Sequence, residues 1–350
     1  MKKLLSLILA TIMLISLVAC GGSSTSGSTS SSTPATSSGS SSDGSATTTQ
    51  PTSSGGGKTT YLSLGTGGVT GTYYPLGGAF ANIISNNIDG YTCTAESTGG
   101  AVENAWLLAR GEIDIGFVDA STVYQAQHSE GDFSDGTASS IKGIVSIYNE
   151  IVQLVSCNPN ITSIADLKGK KVAVGSAGSG TEVMARTLLG LYDMTYDDIE
   201  EDFLGFGDAS TGLKDKTLDA AIIWAGAPTS GLLELGAQND FYMIDLPADK
   251  IELLKASQPF CVEVTMDSSI YSGMKNTAHT IGVPATLCVR DDMDEDLVYN
   301  ILSTFFDNLP AVAEAHTQGS NLSLETALLG LENSDLHPGA IKFYQEKGVL

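Results

Sequence analysis

The sequence predicts an α/β protein of two lobes, with parallel-rich sheets flanked by helices and a cleft between the lobes. Three observations carry this reading. Strand-like and helix-like segments alternate as β-α-β-α-β between Tyr61 and Val118, the order repeats after a long apolar run from Ile141 to Ser156, and each half holds a Gly-rich turn leading into a helix that opens on Thr or Ser. Alternation of this kind implies parallel strands with helices on the sheet faces.

The elements follow in order. Tyr61 to Leu64 reads as a strand, Gly65 to Gly71 as a Gly-rich loop, and Tyr73 to Ile84 as a helix whose first turn accommodates Pro75. Tyr91 to Ala95 is a second strand, Ser97 to Gly100 a turn, Ala101 to Arg110 a helix, and Ile113 to Val118 an alternating third strand. After the run Ile141 to Ser156, Ile164 to Gly169 reads as a short helix, Lys171 to Val174 as a strand, Gly175 to Gly180 as a loop and Thr181 to Leu191 as a helix. Leu213 to Leu218 reads as a helix, Ala220 to Trp224 as a buried strand running into Ala-Gly-Ala-Pro228, and Ile281 to Arg290 as a strand. From Asp294 onward a helix is expected, with Leu297, Ile301, Phe305 and Leu309 on one face. The first lobe is then 58–155 plus 275–350, and the second 156–274.

The N-terminus has the pattern of an export signal. Met1-Lys-Lys precedes an apolar run from Leu4 to Val18, closed by Leu17-Val-Ala-Cys20. The run is shorter than the roughly 20 residues a spanning helix needs. Cleavage after residue 19 makes Cys20 the lipidated N-terminus, carrying palmitate-like acyl chains that each add about 0.8 kcal/mol of membrane affinity per methylene. From Gly21 to Gly57, 31 of 37 residues are Ser, Thr or Gly, so the segment 20–57 reads as a flexible tether with an r.m.s. span of about 35 Å.

Removal of Lys2 and Lys3 leaves 15 basic against 40 acidic residues, a formal charge of −25. Nucleic acid is excluded as a partner, because phosphate contacts need a basic face. Contact with the membrane is expected through the lipid anchor alone. Cys93, Cys157, Cys261 and Cys288 form no CxxC or Cys/His cluster, so no metal site is expected, and their disulfide state stays open. His128, His279, His316 and His337 are scattered, outside any HExxH. No cofactor is implied: Thr70 stands where GxGxxG needs its third glycine, Gly175 to Thr181 lacks a P-loop lysine, and no GxSxG elbow occurs.

The two Gly-rich loops carry the candidate site. Helix N-termini present unpaired N–H groups and a positive dipole end, so two of them across one cleft suit a small anion. This sets Gly67, Thr70, Gly71, Thr72 and Tyr73 opposite Ser176, Gly178, Ser179, Gly180 and Thr181. The same glycines and hydroxyls also serve tight turns and helix caps. Arg110, Arg186 and Arg290 are either solvated charges or additional contacts to a carboxylate. Trp224 and Pro228 stand at a strand's C-terminal end, where α/β sheets present ligands, though Trp224 equally suits a core. Asp119, directly after a strand, either binds a ligand ammonium or caps the next helix.

Several stretches resemble the TAXI family of TRAP-associated extracytoplasmic solute receptors. They are Leu64 to Pro75 with Gly77, Ser97-Thr-Gly-Gly-Ala-Val-Glu-Asn104, Gly111 to Phe117, Val174 to Glu182, and Leu336-His-Pro-Gly-Ala340 with Tyr344. The resemblance adds Ser97, Thr98 and Asn104 to the ligand-binding candidates. It implies a type II periplasmic-binding-protein-like fold, two crossovers between lobes, closure around glutamate, glutamine or a related dicarboxylate, and delivery to a TRAP permease driven by an ion gradient. The expected protein is a monomeric, non-enzymatic receptor for a small anionic or zwitterionic ligand. The alternatives are the same fold serving an ABC importer or a sensor kinase, a secreted α/β enzyme, and a surface antigen without a small ligand.

Overall fold

The structure, a computed structural model, describes residues 59–350. The signal segment 1–19, Cys20 and the tether expected through 57 lie outside the described residues. Ten strands form one sheet in the order β2-β1-β3-β10-β4-β7-β5-β6, with β8 paired to β4 and β9 to β10. The strands are β1 Thr60–Gly65, β2 Tyr91–Glu96, β3 Ile115–Asp119, β4 Ile141–Ser156, β5 Lys171–Ala173, β6 Glu200–Asp202, β7 Ala220–Ala225, β8 Tyr242–Met243, β9 Val262–Met266 and β10 Ala278–Arg290. The helices are α1 Tyr73–Asn87, α2 Ala101–Arg110, α3 Ala120–His128, α4 Gly180–Gly190, α5 Phe206–Lys214, α6 Ser230–Gly236, α7 Ala248–Ser257, α8 Glu295–Asp307, α9 Leu309–Ala315 and α10 Pro338–Glu346.

Each end of the sheet is parallel, β1 pairing with β2 and β3, and β5 with β6 and β7. The middle is antiparallel: the long strands β4 and β10 pair with each other, β10 borders β3, and β4 borders β7. These two strands join the ends of the sheet and run nearly all buried, as strands covered on both faces must. Alternation along β10 shows the two layers directly. Ala285, Leu287 and Val289 pack with α1, α8 and α10, whereas Cys288 packs with α2 and α3. Along β7, Ala220, Ile222 and Trp224 join the core containing α4 and α7, and Ala221, Ile223 and Ala225 join the one containing α5 and α6.

Three sequence expectations change. The helix expected over Leu213 to Leu218 is instead α5, which ends at Lys214. Lys216 takes the left-handed conformation at φ 59°, the N–H groups of Thr217 and Leu218 both return to the Gly212 carbonyl, and Leu218 folds into the core. That is a helix terminus. Leu309 packs on the same core as Leu297, Ile301 and Phe305, but from a second helix: α8 stops at Asp307, and Leu309 opens α9. Pro310 lacks the N–H that an unbroken helix would need. The segment Ile164–Leu167 is a single 3-10 turn capped by Ser163 and Asp166. Helices α3, α6 and α7 and strands β6, β8 and β9 were not read from the sequence.

No helix among the described residues is long and apolar enough to cross a membrane. Cys93, Cys157, Cys261 and Cys288 are all free. Burial pushes the thiols of Cys93, Cys261 and Cys288 up to about 12, which leaves them protonated and unreactive. The Leu336–Ala340 stretch also has a structural task. His337 caps α10 and its N–H bonds the Gly143 carbonyl, while the Tyr344 hydroxyl donates to Ile144 O at 2.9 Å, fastening the C-terminal helix to β4.

Candidate functional site

The first Gly-rich loop leaves β1 at Gly65 and enters α1 at Tyr73. It is held from below by side chains of the next turn. The Asn104 amide donates to the carbonyls of Thr66 at 2.6 Å and Phe117 at 2.9 Å, Thr98 Oγ1 donates to Thr66 O at 3.0 Å, and Ser97 Oγ donates to Gly67 O at 2.9 Å. Gly77 lets α1 close on the loop, because a Cβ there would overlap the Thr66 methyl.

The second loop leaves β5 and enters α4. Ser179 caps this helix, its hydroxyl accepting from Glu182 N, and also donates to Ser176 O at 2.6 Å. Gly178 sits at φ 75°, a conformation glycine adopts without strain, and its carbonyl accepts the Glu103 N–H of α2 at 2.9 Å. That bond ties the second loop to the other end of the sheet. The Arg186–Asp132 ion pair at 2.6 Å and the Thr72 Oγ1 to Gly226 O bond at 3.3 Å also span the two ends.

Between the loops lies a small cavity of about 60 Å³, room for the head group of a small ligand. Its wall includes Thr72 and Tyr73 at the start of α1, Gly100 and Ala101 at the start of α2, and Ser179, Gly180 and Thr181 at the start of α4. Three helices of 15, 10 and 11 residues thus begin on one small space. Unpaired first-turn N–H groups and three positive dipole ends favour negative charge there. None of the lining residues is basic. The remaining wall is Gly67, Gly68, Gly71, Gly99, Phe206, Trp224, Ala225 and Glu150.

Glu150 is the unexpected member. It lies in β4, is 5% exposed, and accepts the Tyr73 hydroxyl at 3.0 Å on one carboxyl oxygen, with the Tyr148 hydroxyl at 3.5 Å from the other. Burial pushes its carboxyl well above the usual range, the nearby Asp119 carboxylate adds to this, and the two tyrosine hydroxyls oppose it. Tyr73 is itself raised, first by burial and then by Glu150. Its ring stacks on Phe117 at 4.5 Å, which fixes the hydroxyl's position. One sequence signal pointed here: Glu150 is the only acid in the 16-residue strand β4. Gly68, Ala225, Phe206 at the start of α5, and Gly99 to Ala101 leading into α2 were also missed.

The structure distributes the sequence candidates in two groups. Gly67, Gly71, Thr72, Tyr73, Ser179, Gly180, Thr181 and Trp224 line the cavity. Thr70, Ser97, Thr98, Asn104, Asp119, Ser176, Gly178 and Pro228 do not. Ser97, Thr98 and Asn104 bind loop carbonyls, Thr70 packs against Gly207, and Pro228 follows a cis peptide after Ala227. Asp119 is fully buried and caps α3: its oxygens accept from Thr122 N at 2.9 Å, Thr122 Oγ1 at 2.7 Å and the Ser121 hydroxyl. Arg110 and Arg290 pair with Glu112 and Asp292, and Arg186 with Asp132 and Glu182. None of the three arginines lines the cavity.

Two α/β ends joined by paired crossing strands, with a cavity at the loops between them, define a periplasmic-binding-protein-like fold. The NMT1-like family model matches residues 64–348, and the chain belongs to that family. Solved structures resemble the chain at low identity. The periplasmic aliphatic sulphonate binding protein SsuA of Escherichia coli is 16% identical with a TM-score of 0.44, over 82% of each chain. A Bordetella bronchiseptica RB50 protein is 15% identical with a TM-score of 0.50, over 81% of this chain and 88% of its own. A putative L-cystine ABC transporter protein of Listeria monocytogenes is 14% identical with a TM-score of 0.44, over 75% and 98%.

Proposed function

We propose that the chain is a non-enzymatic, monomeric extracytoplasmic receptor that closes on a small carboxylate or amino acid, with glutamate, glutamine and related dicarboxylates as the leading ligands. The observation that carries this is the convergence of α1, α2 and α4 on one small cavity without a basic side chain. Backbone N–H groups at the three helix starts bind the carboxylate, and the Thr72, Ser179 and Thr181 hydroxyls supplement them. The residues 58–155 plus 275–350 and 156–274 form the lobes, with β4 and β10 as the crossovers. Calorimetry with amino acids and dicarboxylates tests this: saturable heat with at least one member is expected, and none with any member refutes it.

Delivery is to a membrane importer. The sequence motifs support a TRAP permease. The second reading is the binding component of an ABC importer, supported by the match of the NMT1-like family model to residues 64–348. Reconstitution of each permease type with the loaded receptor separates them, through dependence of uptake on an ion gradient or on ATP. In either case the proposed anchor at Cys20 and the 20–57 tether hold the receptor beside its partner and raise its effective concentration. Loss of membrane retention in Cys20→Ser is the expected result.

A further inference from the structure

Resting on the reading of the cavity as a carboxylate site, we infer that Glu150 makes the receptor selective for amine-bearing ligands by pairing with the ligand's ammonium group. Two carboxyl groups are buried near the cavity, and their hydrogen bonding separates them. Asp119 has three donors from its own helix start, and lies behind Gly180, outside the wall. Glu150 is in the wall, and has one donor at 3.0 Å and a second at the 3.5 Å limit. A carboxylate offers about four acceptor sites, so Glu150 keeps acceptor capacity for a ligand.

The groups around Glu150 support the same assignment. The titratable side chains facing it are Tyr73, Tyr148 and Asp119; none supplies a positive charge. Trp224 also lines the cavity and holds the Glu150 backbone, donating Nε1–H to its carbonyl at 3.1 Å. A ligand ammonium beside an indole ring and a carboxylate gains from both. The helix starts and Glu150 together suit a zwitterion, which carries one charge for each. A bare anion would face the carboxyl without such compensation.

Burial keeps the empty-state carboxyl protonated well above its ordinary range. Ammonium binding favours the ionised form, so Glu150 gives up its proton to the buffer as the ligand enters. A des-amino ligand leaves the proton in place.

The test is calorimetry on the full chain with L-glutamate and L-glutamine and their des-amino analogues glutarate and glutaramate, in two buffers of different ionisation enthalpy. Wild type is expected to bind the amine-bearing member of a pair at least about tenfold more tightly, with proton release. Glu150→Gln should lose that ratio and the proton release while keeping its affinity for the des-amino acid, and Glu150→Asp should recover part of the ratio. Thermal melting checks that both variants fold. Equal binding of the paired ligands by wild type, or an unchanged ratio in Glu150→Gln, overturns the inference and leaves the carboxylate receptor standing. Absence of binding by all four overturns the inference and the glutamate-type reading together.

Discussion

Trp224 donates its indole N–H to the backbone carbonyl of Glu150 at 3.1 Å, joining the end of β7 to the crossing strand β4 inside the cavity wall. The bond fixes a ring and a carboxyl on one surface. Trp224→Phe would leave a buried carbonyl without its donor, a cost of about 1–3 kcal/mol. The sequence holds two tryptophans, and of these only Trp224 lines the cavity. Ligand binding is therefore expected to change the intrinsic fluorescence of the wild type and to leave that of Trp224→Phe nearly unchanged, as a titration with glutamate would record.

Gly180 tests the cavity's shape. A Cβ at this position would stand 2.9 Å from the Asp119 carboxyl, 3.3 Å from the Trp224 ring and 3.5 Å from Ala101. Asp119 is held by its own cap and cannot swing aside. Gly180→Ala should weaken ligand binding by about tenfold or more, from an overpacking cost on the order of 1–3 kcal/mol. Calorimetry reads the affinity, and circular dichroism should show unchanged secondary structure.

Asn104 is expected to act on stability. Its amide group bonds the carbonyls of Thr66 and Phe117, and the residue is fully buried. Asn104→Ala removes a donor from each carbonyl, leaving Thr66 O with the Thr98 hydroxyl, and should destabilise the fold by about 2 kcal/mol. Urea unfolding would show it as a lower midpoint with little change in slope.

Glu150 makes the empty receptor pH-sensitive. Its carboxyl is raised in the folded state, so the folded chain holds a proton that the unfolded chain releases above about pH 4.3. Stability from this group is fully present below that value, and is lost as pH rises towards the raised folded value. Without ligand, wild type and Glu150→Gln should differ least near pH 4, and the variant should gain relative stability by pH 8. Melting temperatures across that range check the sign; a constant difference would show that Glu150 does not titrate there.

Ligand binding should follow the same linkage with the opposite consequence. An amine-bearing ligand needs the ionised carboxyl, so its affinity should rise with pH through the neutral range, until Glu150 is ionised in the empty state. Glutarate affinity should show no such rise. A flat profile for glutamate would argue that Glu150 keeps one protonation state throughout.

Much of the fold was legible because its signals are local. The β1-α1-β2-α2-β3 order appears in chain order, α2 falls at Ala101–Arg110 as expected, and β4 at Ile141–Ser156. Those segments are long or strongly periodic, and their boundaries carry Gly or Ser. The α5 terminus was misread because Lys214 and Lys216 are ordinary helix formers and no Gly or Pro marks the stop, whereas Lys216 takes the left-handed conformation that ends the helix. The two Gly-rich loops were legible for the same local reason, as strand-to-helix turns.

What the sequence determined by itself is that two such loops exist, with helices starting at Tyr73 and beside Ser179, and that the chain is far too acidic for nucleic acid. Tertiary structure alone decided that the start of α2 joins them, that Asp119 spends its oxygens on a helix cap, and that Glu150 enters the cavity wall. Each of these depends on pairings between distant segments: β4 against β7 brings Glu150 to Trp224, 74 residues apart. Hydrophobic periodicity reports which face of a strand is buried, whereas a neighbour across the sheet is fixed only when the whole chain packs.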